Sequence, residues 1–226
     1  MNTYLIIDLI EKDVADYIVS KFPLCDWTCG NKTGGHIGKV NMEMVNEGIY
    51  HELDRIVVQA LMDHAEAKIF TFPKQTTPAI FSKTGPGGEY PIHSDHPTLG
   101  HYSMTLFLNE PDEYDGGELQ LYINNKIESI KLEKGKAIIY THGIPHAVSK
   151  VTKGERLVSV NWTRSMYDNS DIRGIASDVE SIVNYYDSMQ DEINELSFEE
   201  TINHPYFKAL TTSGSLYKMF ANKDSL

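Results

Sequence analysis

The chain has 226 residues, of which 41% are hydrophobic and 23% are charged. This length and composition are typical of one globular domain with a sizeable core. The 20 Lys and Arg residues against 32 Asp and Glu residues give a net charge of −12. An acidic surface repels nucleic-acid phosphates and anionic lipids, so we expect neither nucleic acid nor a membrane as a main partner.

Two features of the sequence favour a cytoplasmic location. The N-terminal segment lacks a basic region and has a short apolar run, so it does not resemble a signal peptide, and no apolar run is long enough for a transmembrane helix. Cys25 and Cys29 lack the second cysteine pair that would complete a zinc site. They are typical of reduced, structural thiols.

The first third of the chain is predicted to be mainly helical. A short strand over residues 3–8 precedes a helix from Glu11 to Phe22, which Pro23 ends. An apolar stripe then predicts one helix from Gly48 to Lys68. His64 lies on that stripe, and we interpret it as a core residue rather than a ligand.

From residue 78 the sequence changes to short β-branched and aromatic runs separated by turn signals. Asn124-Asn125, between two such runs, predicts a tight hairpin. About eight short strands at this spacing favour a sandwich or a jelly roll. The strands are predicted near residues 78–83, 90–95, 101–109, 117–123, 126–132, 136–141, 144–151 and 155–163.

Beyond Trp162 the pattern becomes helical again. Apolar residues from Ile172 to Ile193 fit one face of a long helix, and a second helix is predicted from Pro205 to about Ala221. The order of elements is therefore helices, a β core and helices, which predicts an α+β fold.

His93 and Asp95 place an imidazole and a carboxylate two positions apart. On a strand, residues i and i+2 point to the same face, so we expect the two side chains to project side by side. They would supply two ligands of a 2-His-1-carboxylate facial triad, the usual non-haem Fe(II) site. For the third ligand we prefer His146 to His142, because alternation around His146 favours a strand with the imidazole facing inward.

Arg156 opens the last predicted strand, ten residues after His146. An arginine that points into a β cavity is costly unless an anion meets it. A dicarboxylic cosubstrate would supply this anion through a bidentate pair. Considered alone, however, Arg156 in the charged turn Lys153-Gly154-Glu155-Arg156 is more typical of a surface arginine.

Several motifs occur in one order along residues 78–180. In this joint pattern the chain resembles the Fe(II)- and 2-oxoglutarate-dependent dioxygenases of the prolyl 4-hydroxylase type, and especially the bacterial PKHD-type hydroxylases. The motifs that carry the resemblance are His93-Ser94-Asp95, Thr105-Leu106-Phe107-Leu108-Asn109, Tyr114-Asp115-Gly116-Gly117-Glu118-Leu119, Gly135, Ile139-Tyr140, His146-Ala147-Val148, Val151, Gly154, Arg156 and Trp162.

The resemblance implies a double-stranded β-helix, or jelly-roll, core with flanking N- and C-terminal helices. We expect a dioxygenase domain over residues 1–194, with its β-helix core at about residues 78–164. Residues 195–226 would then form a C-terminal helical extension, whose role the sequence does not indicate.

The resemblance also implies a site and an activity. His93, Asp95 and His146 would be the catalytic iron ligands, and Arg156 would bind the distal carboxylate of the cosubstrate 2-oxoglutarate. O2 would be the second cosubstrate, with ascorbate as an optional reductant. The implied reaction hydroxylates a C–H bond of a peptidyl or amino-acid substrate, such as proline, and releases succinate and CO2. The partner would be a peptide, protein or small-molecule substrate. The sequence does not decide whether the protein forms a homodimer.

One position departs from the family pattern. Related hydroxylases usually have a tyrosine nine residues before the first ligand histidine, where this chain has Thr84. Either Thr84 contacts 2-oxoglutarate at shorter range, or Tyr102 or Tyr140 fills the space, or the binding of the keto acid is altered. Tyr90 matches the family and is either a packing aromatic or a contact to substrate or cosubstrate. Trp162 is expected to pack in the β core, with cavity lining as the second interpretation.

The sequence is also compatible with two other functions. The chain could hydroxylate a small metabolite or a nucleobase, because the substrate class is inherited by analogy alone. It could also be a non-catalytic β-helix module that binds a metal or a carboxylate ligand. A visible charge-transfer band with Fe(II) and 2-oxoglutarate, together with succinate formation, would separate the enzymes from the binding module.

Overall fold

The structure, a computed structural model of the protein, describes residues 3–30, 38–189 and 193–221. The strands in these residues are β1 (Tyr4–Asp8), β2 (Trp27–Cys29), β3 (Met42–Met44), β4 (Pro73–Thr76), β5 (Ile80–Thr84), β6 (Tyr90–His93), β7 (Tyr102–Phe107), β8 (Tyr114–Asp115), β9 (Leu119–Ile123), β10 (Lys126–Ile130), β11 (Lys136–Thr141), β12 (His146–Val148), β13 (Lys153–Gly154) and β14 (Arg156–Ser165). The helices are α1 (Lys12–Lys21), α2 (Tyr50–Asp63), α3 (Ala65–Thr71), α4 (Ser170–Asp187), α5 (Phe198–Asn203) and α6 (Pro205–Phe220).

Two antiparallel sheets form the core. The larger sheet has the order β1-β11-β7-β14-β5-β3-β2, with β4 also paired to β14. The smaller sheet has the order β10-β9-β12-β6, and β8 and β13 form a separate two-stranded ribbon. This arrangement confirms the predicted jelly-roll core with flanking helices.

Strand β7 separates the hydrophobic core from the interior of the β-helix, and it is buried along its whole length. Tyr102, Met104 and Leu106 point toward the main apolar cluster, which also contains residues of α1, α2 and α3. Ser103 and Thr105 point the other way and line a cavity between the sheets. The alternation of side chains along a strand therefore places small polar groups in the cavity wall.

Strand β14 is ten residues long and joins most of the larger sheet. It pairs with β5 near its start, with β4 near its end and with β7 in between. In this register Arg156 lies opposite Thr84, and Trp162 lies opposite Ser103. All four side chains line the cavity.

The single helix predicted from Gly48 to Lys68 is two helices, α2 and α3, and the prediction is wrong at His64. The backbone of His64 is extended, with φ −65° and ψ 123°. Its Nδ1 accepts a hydrogen bond from the backbone N–H of Ala67 at 3.4 Å, so His64 caps α3. No proline or glycine marks this break in the sequence.

The predicted hairpin at Asn124-Asn125 is confirmed. Strands β9 and β10 pair directly across the turn, with Ile123 opposite Lys126. Both asparagines have positive φ, 51° and 60°, as a type I′ turn requires. Asparagine tolerates this left-handed region better than most residues do.

The C-terminal helices pack beside the core rather than within it. Helix α6 begins at Pro205, as predicted, and helix α4 lies against it. Tyr167, Ala176 and Leu216 form the small apolar cluster between them. None of the helices in the described residues is long and apolar enough to cross a membrane. The division at residue 194 stays a prediction.

Candidate active site

A cavity of about 680 Å³ lies between the two sheets. Strands β6, β9 and β12 of the smaller sheet contribute to one wall, and β5, β7, β11 and β14 of the larger sheet to the other. Its lining combines apolar side chains, such as Leu119, Val158 and Val160, with converging polar groups. A concave space in which polar groups converge between apolar side chains is typical of small-molecule sites.

His93, Asp95 and His146 come together in the wall of this cavity, and one ligand atom from each lies within 4.8 Å of the others. Asp95 Oδ1 is 3.9 Å from His93 Nε2 and 3.8 Å from His146 Nε2. Two imidazoles and one carboxylate form the donor set of the facial triad. The structure therefore brings together the three residues that the sequence singled out.

The expectation that His93 and Asp95 project from the same strand face is wrong. Strand β6 ends at His93, so Asp95 lies in the segment after the strand and does not share a strand face with His93. Asp95 is held from the opposite sheet instead. Its Oδ2 accepts hydrogen bonds from Ser103 Oγ at 2.5 Å and from Trp162 Nε1 at 2.9 Å.

Backbone carbonyls orient both imidazoles. The oxygen of Pro91 is 2.9 Å from His93 Nδ1, and the oxygen of Ile144 is 2.8 Å from His146 Nδ1. A carbonyl can only accept, so each Nδ1 carries the proton and each Nε2 keeps a free lone pair for a metal. Burial, aided by the nearby His146, lowers the pKa of His93 and favours the neutral form that binds metals.

Two tyrosine rings pack on the histidines. Tyr90 stacks on His93 with ring centroids 3.7 Å apart, and Tyr140 meets His146 edge to face at 5.3 Å. Both tyrosines line the cavity. Burial raises the pKa of Tyr90 to about 12 and raises the pKa of Tyr140 far above its ordinary value. Both phenols therefore stay protonated and can donate hydrogen bonds.

Arg156 supplies a positive charge to the same cavity from the larger sheet. Its side chain is buried, and its Nε has no hydrogen-bond partner among the described residues. The guanidinium carbon lies 5.6 Å from the Phe107 ring centroid. Burial lowers the pKa of Arg156, yet a guanidinium stays charged at neutral pH. The surface interpretation of Arg156 is therefore wrong.

The three candidates for the missing family tyrosine lie in different places. Thr84 is buried in the cavity wall opposite Arg156. Tyr140 also lines the cavity, as described above. Tyr102 is on the other face of β7, with its ring 5.2 Å from that of Phe70, so the expectation that Tyr102 fills the keto-acid site is corrected.

Sequence reasoning missed the roles of Ser103 and Trp162. Trp162 lines the cavity, which was the second of its two interpretations, and it donates to Asp95, a contact that the sequence did not predict. One signal for Ser103 was available in the sequence. In Tyr102-Ser103-Met104-Thr105-Leu106 the small polar residues alternate with apolar ones, which marks a buried polar face of the strand.

Comparison with known proteins decides the family. The model of the 2OG-Fe(II) oxygenase superfamily matches residues 79–164. A PKHD-type hydroxylase of Prochlorococcus marinus (strain NATL2A) is 36% identical over 180 residues, which are 75% of this chain and 81% of that protein. The chain belongs to the PKHD-type hydroxylases of this superfamily. A second PKHD-type hydroxylase, from Saccharophagus degradans, is 30% identical over 84% of this chain and 90% of that protein.

Solved structures share the fold of this hydroxylase. A Pseudomonas putida prolyl-4-hydroxylase has a TM-score of 0.57 at 16% identity, covering 73% of this chain and 94% of that one. A Trichoplax adhaerens prolyl hydroxylase, solved with a hypoxia inducible factor peptide fragment, has a TM-score of 0.59 at 15% identity, covering 73% and 84%. At these identities the likeness shows the jelly-roll fold alone.

Family membership makes the protein a 2-oxoglutarate-dependent oxygenase, with Fe(II) and 2-oxoglutarate as the metal and cosubstrate of the family. The residues of the cavity fit both groups. Two Nε2 atoms and one carboxylate oxygen converge as ligands that suit non-haem iron. The unpaired Nε of Arg156 fits a carboxylate oxygen, which would satisfy this buried donor.

Proposed function

We propose that this PKHD-type hydroxylase hydroxylates a C–H bond of a peptidyl or amino-acid substrate, with O2 and 2-oxoglutarate as cosubstrates and with release of succinate and CO2. One observation carries the proposal: a single cavity contains both the cluster of His93, Asp95 and His146 and the buried Arg156. This pairing matches a reaction that needs a metal and a dicarboxylate side by side.

In this proposal the protein holds and orients the reactants. His93, Asp95 and His146 hold Fe(II), which supplies the oxidative chemistry when bound. Arg156 pairs with the distal carboxylate of 2-oxoglutarate through its planar guanidinium. Apolar side chains of the wall, such as Leu119 and Val158, reduce the local polarity around them, which strengthens charge interactions in the site.

We assign the role of the missing family tyrosine to Thr84 and Tyr140 together. Thr84 on β5 is the direct strand partner of Arg156 on β14, so it is well placed to contact the distal end of 2-oxoglutarate. Tyr140 contacts the His146 ring, and the charge of Arg156 acts on its phenol. Tyr140 therefore suits the space between the metal ligands and the arginine.

The substrate is the least constrained part of the proposal. Proline is the first candidate because solved structures with a similar fold are prolyl hydroxylases. A screen of peptides, free amino acids, small metabolites and nucleobases for a mass gain of one oxygen would choose among the classes. We further propose a cytoplasmic location, which the free thiols of Cys25 and Cys29 support. Ascorbate as a reductant stays a prediction.

The ligand assignment is tested with purified variants under anaerobic conditions. Fe(II) and 2-oxoglutarate should give the wild-type protein a visible charge-transfer band, and admission of O2 should give succinate. His93→Ala, Asp95→Ala and His146→Ala should each lose both signals, because each removes a ligand. His96→Ala changes an exposed histidine that lines the same cavity but is not a proposed ligand, and it should keep the band.

Two results would count against the proposal. Full succinate formation in any of the three ligand variants would show that the ligand set is wrong. A wild-type protein without the band and without succinate would favour the non-catalytic binding module instead.

A further inference from the structure

The two oxygens of the Asp95 carboxylate have different surroundings. Oδ1 is the oxygen that lies near both ligand imidazoles, 3.9 Å from His93 Nε2 and 3.8 Å from His146 Nε2. Oδ2 instead accepts two hydrogen bonds, from Ser103 Oγ at 2.5 Å and from Trp162 Nε1 at 2.9 Å. The side chain of Asp95 is therefore fixed in rotation by donors that are not themselves metal ligands.

Ser103 and Trp162 form one unit of the larger sheet. They are direct partners across β7 and β14, so their side chains stand next to each other on the cavity face. The backbone of Trp162 is held from the other side as well, because its N–H donates to Thr77 Oγ1 at 3.0 Å and its carbonyl accepts from Thr77 N at 2.9 Å. The pair is thus rigidly placed relative to Asp95, which lies outside any strand.

We propose that Ser103 and Trp162 are positioning residues that hold Asp95 with a single oxygen, Oδ1, presented to the metal. The inference rests on the ligand set proposed above. Hydrogen bonds to a charged acceptor are about twice as strong as neutral ones, and Oδ2 has two of them. Keeping Oδ2 away from the metal reserves coordination positions for the cosubstrates, which three protein ligands must leave open.

The first test measures metal affinity in the absence of turnover. Mn(II) is titrated into metal-free protein, and the free ion is followed by electron paramagnetic resonance. Trp162→Phe keeps the aromatic ring and loses the N–H donor, and Ser103→Ala loses the hydroxyl. Each should weaken Mn(II) binding roughly 10-fold, and the double variant should weaken it more, in line with other groups that orient metal ligands.

The chain offers a matched control for each variant. Trp27→Phe makes the same change at a tryptophan that does not line the cavity and whose Nε1 donates to the Phe22 carbonyl. Ser159→Ala removes a buried hydroxyl on β14 that has no hydrogen-bond partner among the described residues. Both controls should bind Mn(II) as tightly as the wild-type protein.

The second test observes the hydrogen bond itself in the metal-free protein. The chain has two tryptophans, so a ¹⁵N–¹H spectrum has two indole signals, which Trp27→Phe assigns. Asp95→Ala should shift the Trp162 signal and leave that of Trp27 in place. The shift should be upfield for the indole proton, because a hydrogen bond to a carboxylate moves a donor proton downfield and Asp95→Ala removes that bond.

The outcomes separate this inference from the ligand assignment. His146→Ala lies outside the Ser103–Trp162 pair, and unchanged Mn(II) affinity in that variant would reject the ligand set. If His146→Ala loses affinity but Trp162→Phe and Ser103→Ala match their controls, only the positioning role is overturned. An indole signal of Trp162 that does not shift in Asp95→Ala would also overturn the positioning role. Circular dichroism verifies that each variant folds. If Trp162→Phe does not fold, the Mn(II) affinity of Ser103→Ala, the smaller change, decides the test.

Discussion

Arg156 is the side chain whose environment most constrains the chemistry of the cavity. We predict that Arg156→Gln raises the 2-oxoglutarate concentration needed for half-maximal succinate formation by roughly 10- to 100-fold, since hydrogen bonds to charged groups contribute about 1.5–3 kcal/mol. The melting temperature of the ligand-free protein should not fall, because the substitution removes a buried cation with an unpaired Nε. Steady-state kinetics and thermal denaturation measure the two effects.

A control for this prediction lies on the same strand. Arg164 is exposed on β14, so Arg164→Gln removes the same charge outside the cavity. It should leave the 2-oxoglutarate requirement within about 2-fold of wild type, as surface charges contribute little. An unchanged requirement in Arg156→Gln would reject the anion-binding role.

The residue scale also shows how far the sequence could predict the site. The spacing of His93 and Asp95 and the motif around His146 were sufficient to name three converging side chains. The contacts of Trp162 were not predictable, because Asp95 is 67 residues away and the contact depends on the pairing register of β7 and β14. The place of Tyr102 depends on the phase of alternation along β7, which puts its ring in the main apolar cluster and away from the cavity.

At the scale of elements, the turn at Gly116-Gly117 supports Arg156. Gly117 has φ +69°, and a Cβ there would lie 3.0 Å from Arg156 Cδ, from Tyr114 Cε2 and from Val151 Cγ2. We predict that Gly117→Ala lowers stability by about 1–2 kcal/mol through left-handed strain, and that it also raises the 2-oxoglutarate requirement by displacing Arg156. Denaturant unfolding measures the loss of stability, and steady-state kinetics measure the 2-oxoglutarate requirement.

Gly48→Ala separates strain from crowding. Gly48 has φ +59°, but a Cβ there would meet nothing within 4 Å. It should lose similar stability and keep wild-type kinetics. If both alanine variants show the same kinetics, the turn does not position Arg156.

The elements themselves were predicted unevenly. Each of the eight predicted strands has a counterpart, because each combines β-branched or aromatic residues with a clear turn at its ends. The two-residue strands β8 and β13 are too short to show any period, and β4 begins with a proline. Helix α5 was missed, although Ser197 and Glu200 form a capping box that the sequence displays.

For the whole molecule, the main question is what the C-terminal helices contribute. We predict that removal of residues 195–226 lowers the melting temperature by roughly 5–10 °C, because it exposes Tyr167 and Ala176 and removes their partner Leu216. Metal binding should persist, since the cavity lining runs from Lys39 to Trp162. Thermal denaturation and Mn(II) titration provide the measurements.

Leu216→Ala is the milder version of this change. It should lower the melting temperature by less than the truncation does, because it removes one side chain of the cluster and keeps the rest of α6 in place. A folded, shortened protein that no longer binds Mn(II) would contradict the prediction and would place residues 195–226 within the functional unit.

The overall architecture was more predictable than its parts. Helices, a β core and helices follow in the order that composition and periodicity indicated, and the jelly roll follows from many short strands with turn signals. The boundary between a domain and an extension could not be predicted, since it depends on how the C-terminal helices pack against Tyr167 and α4, which no local pattern encodes.

The position of Trp162 also gives the protein a built-in optical reporter. Its indole hydrogen-bonds to a ligand of the candidate metal, whereas Trp27 packs against Phe22 with Lys83 over its ring. With excitation that tyrosine does not absorb, a Trp27→Phe chain would therefore emit from a single tryptophan beside the metal. Quenching of that emission by a paramagnetic ion would report metal loading in real time, without labels and without knowledge of the substrate.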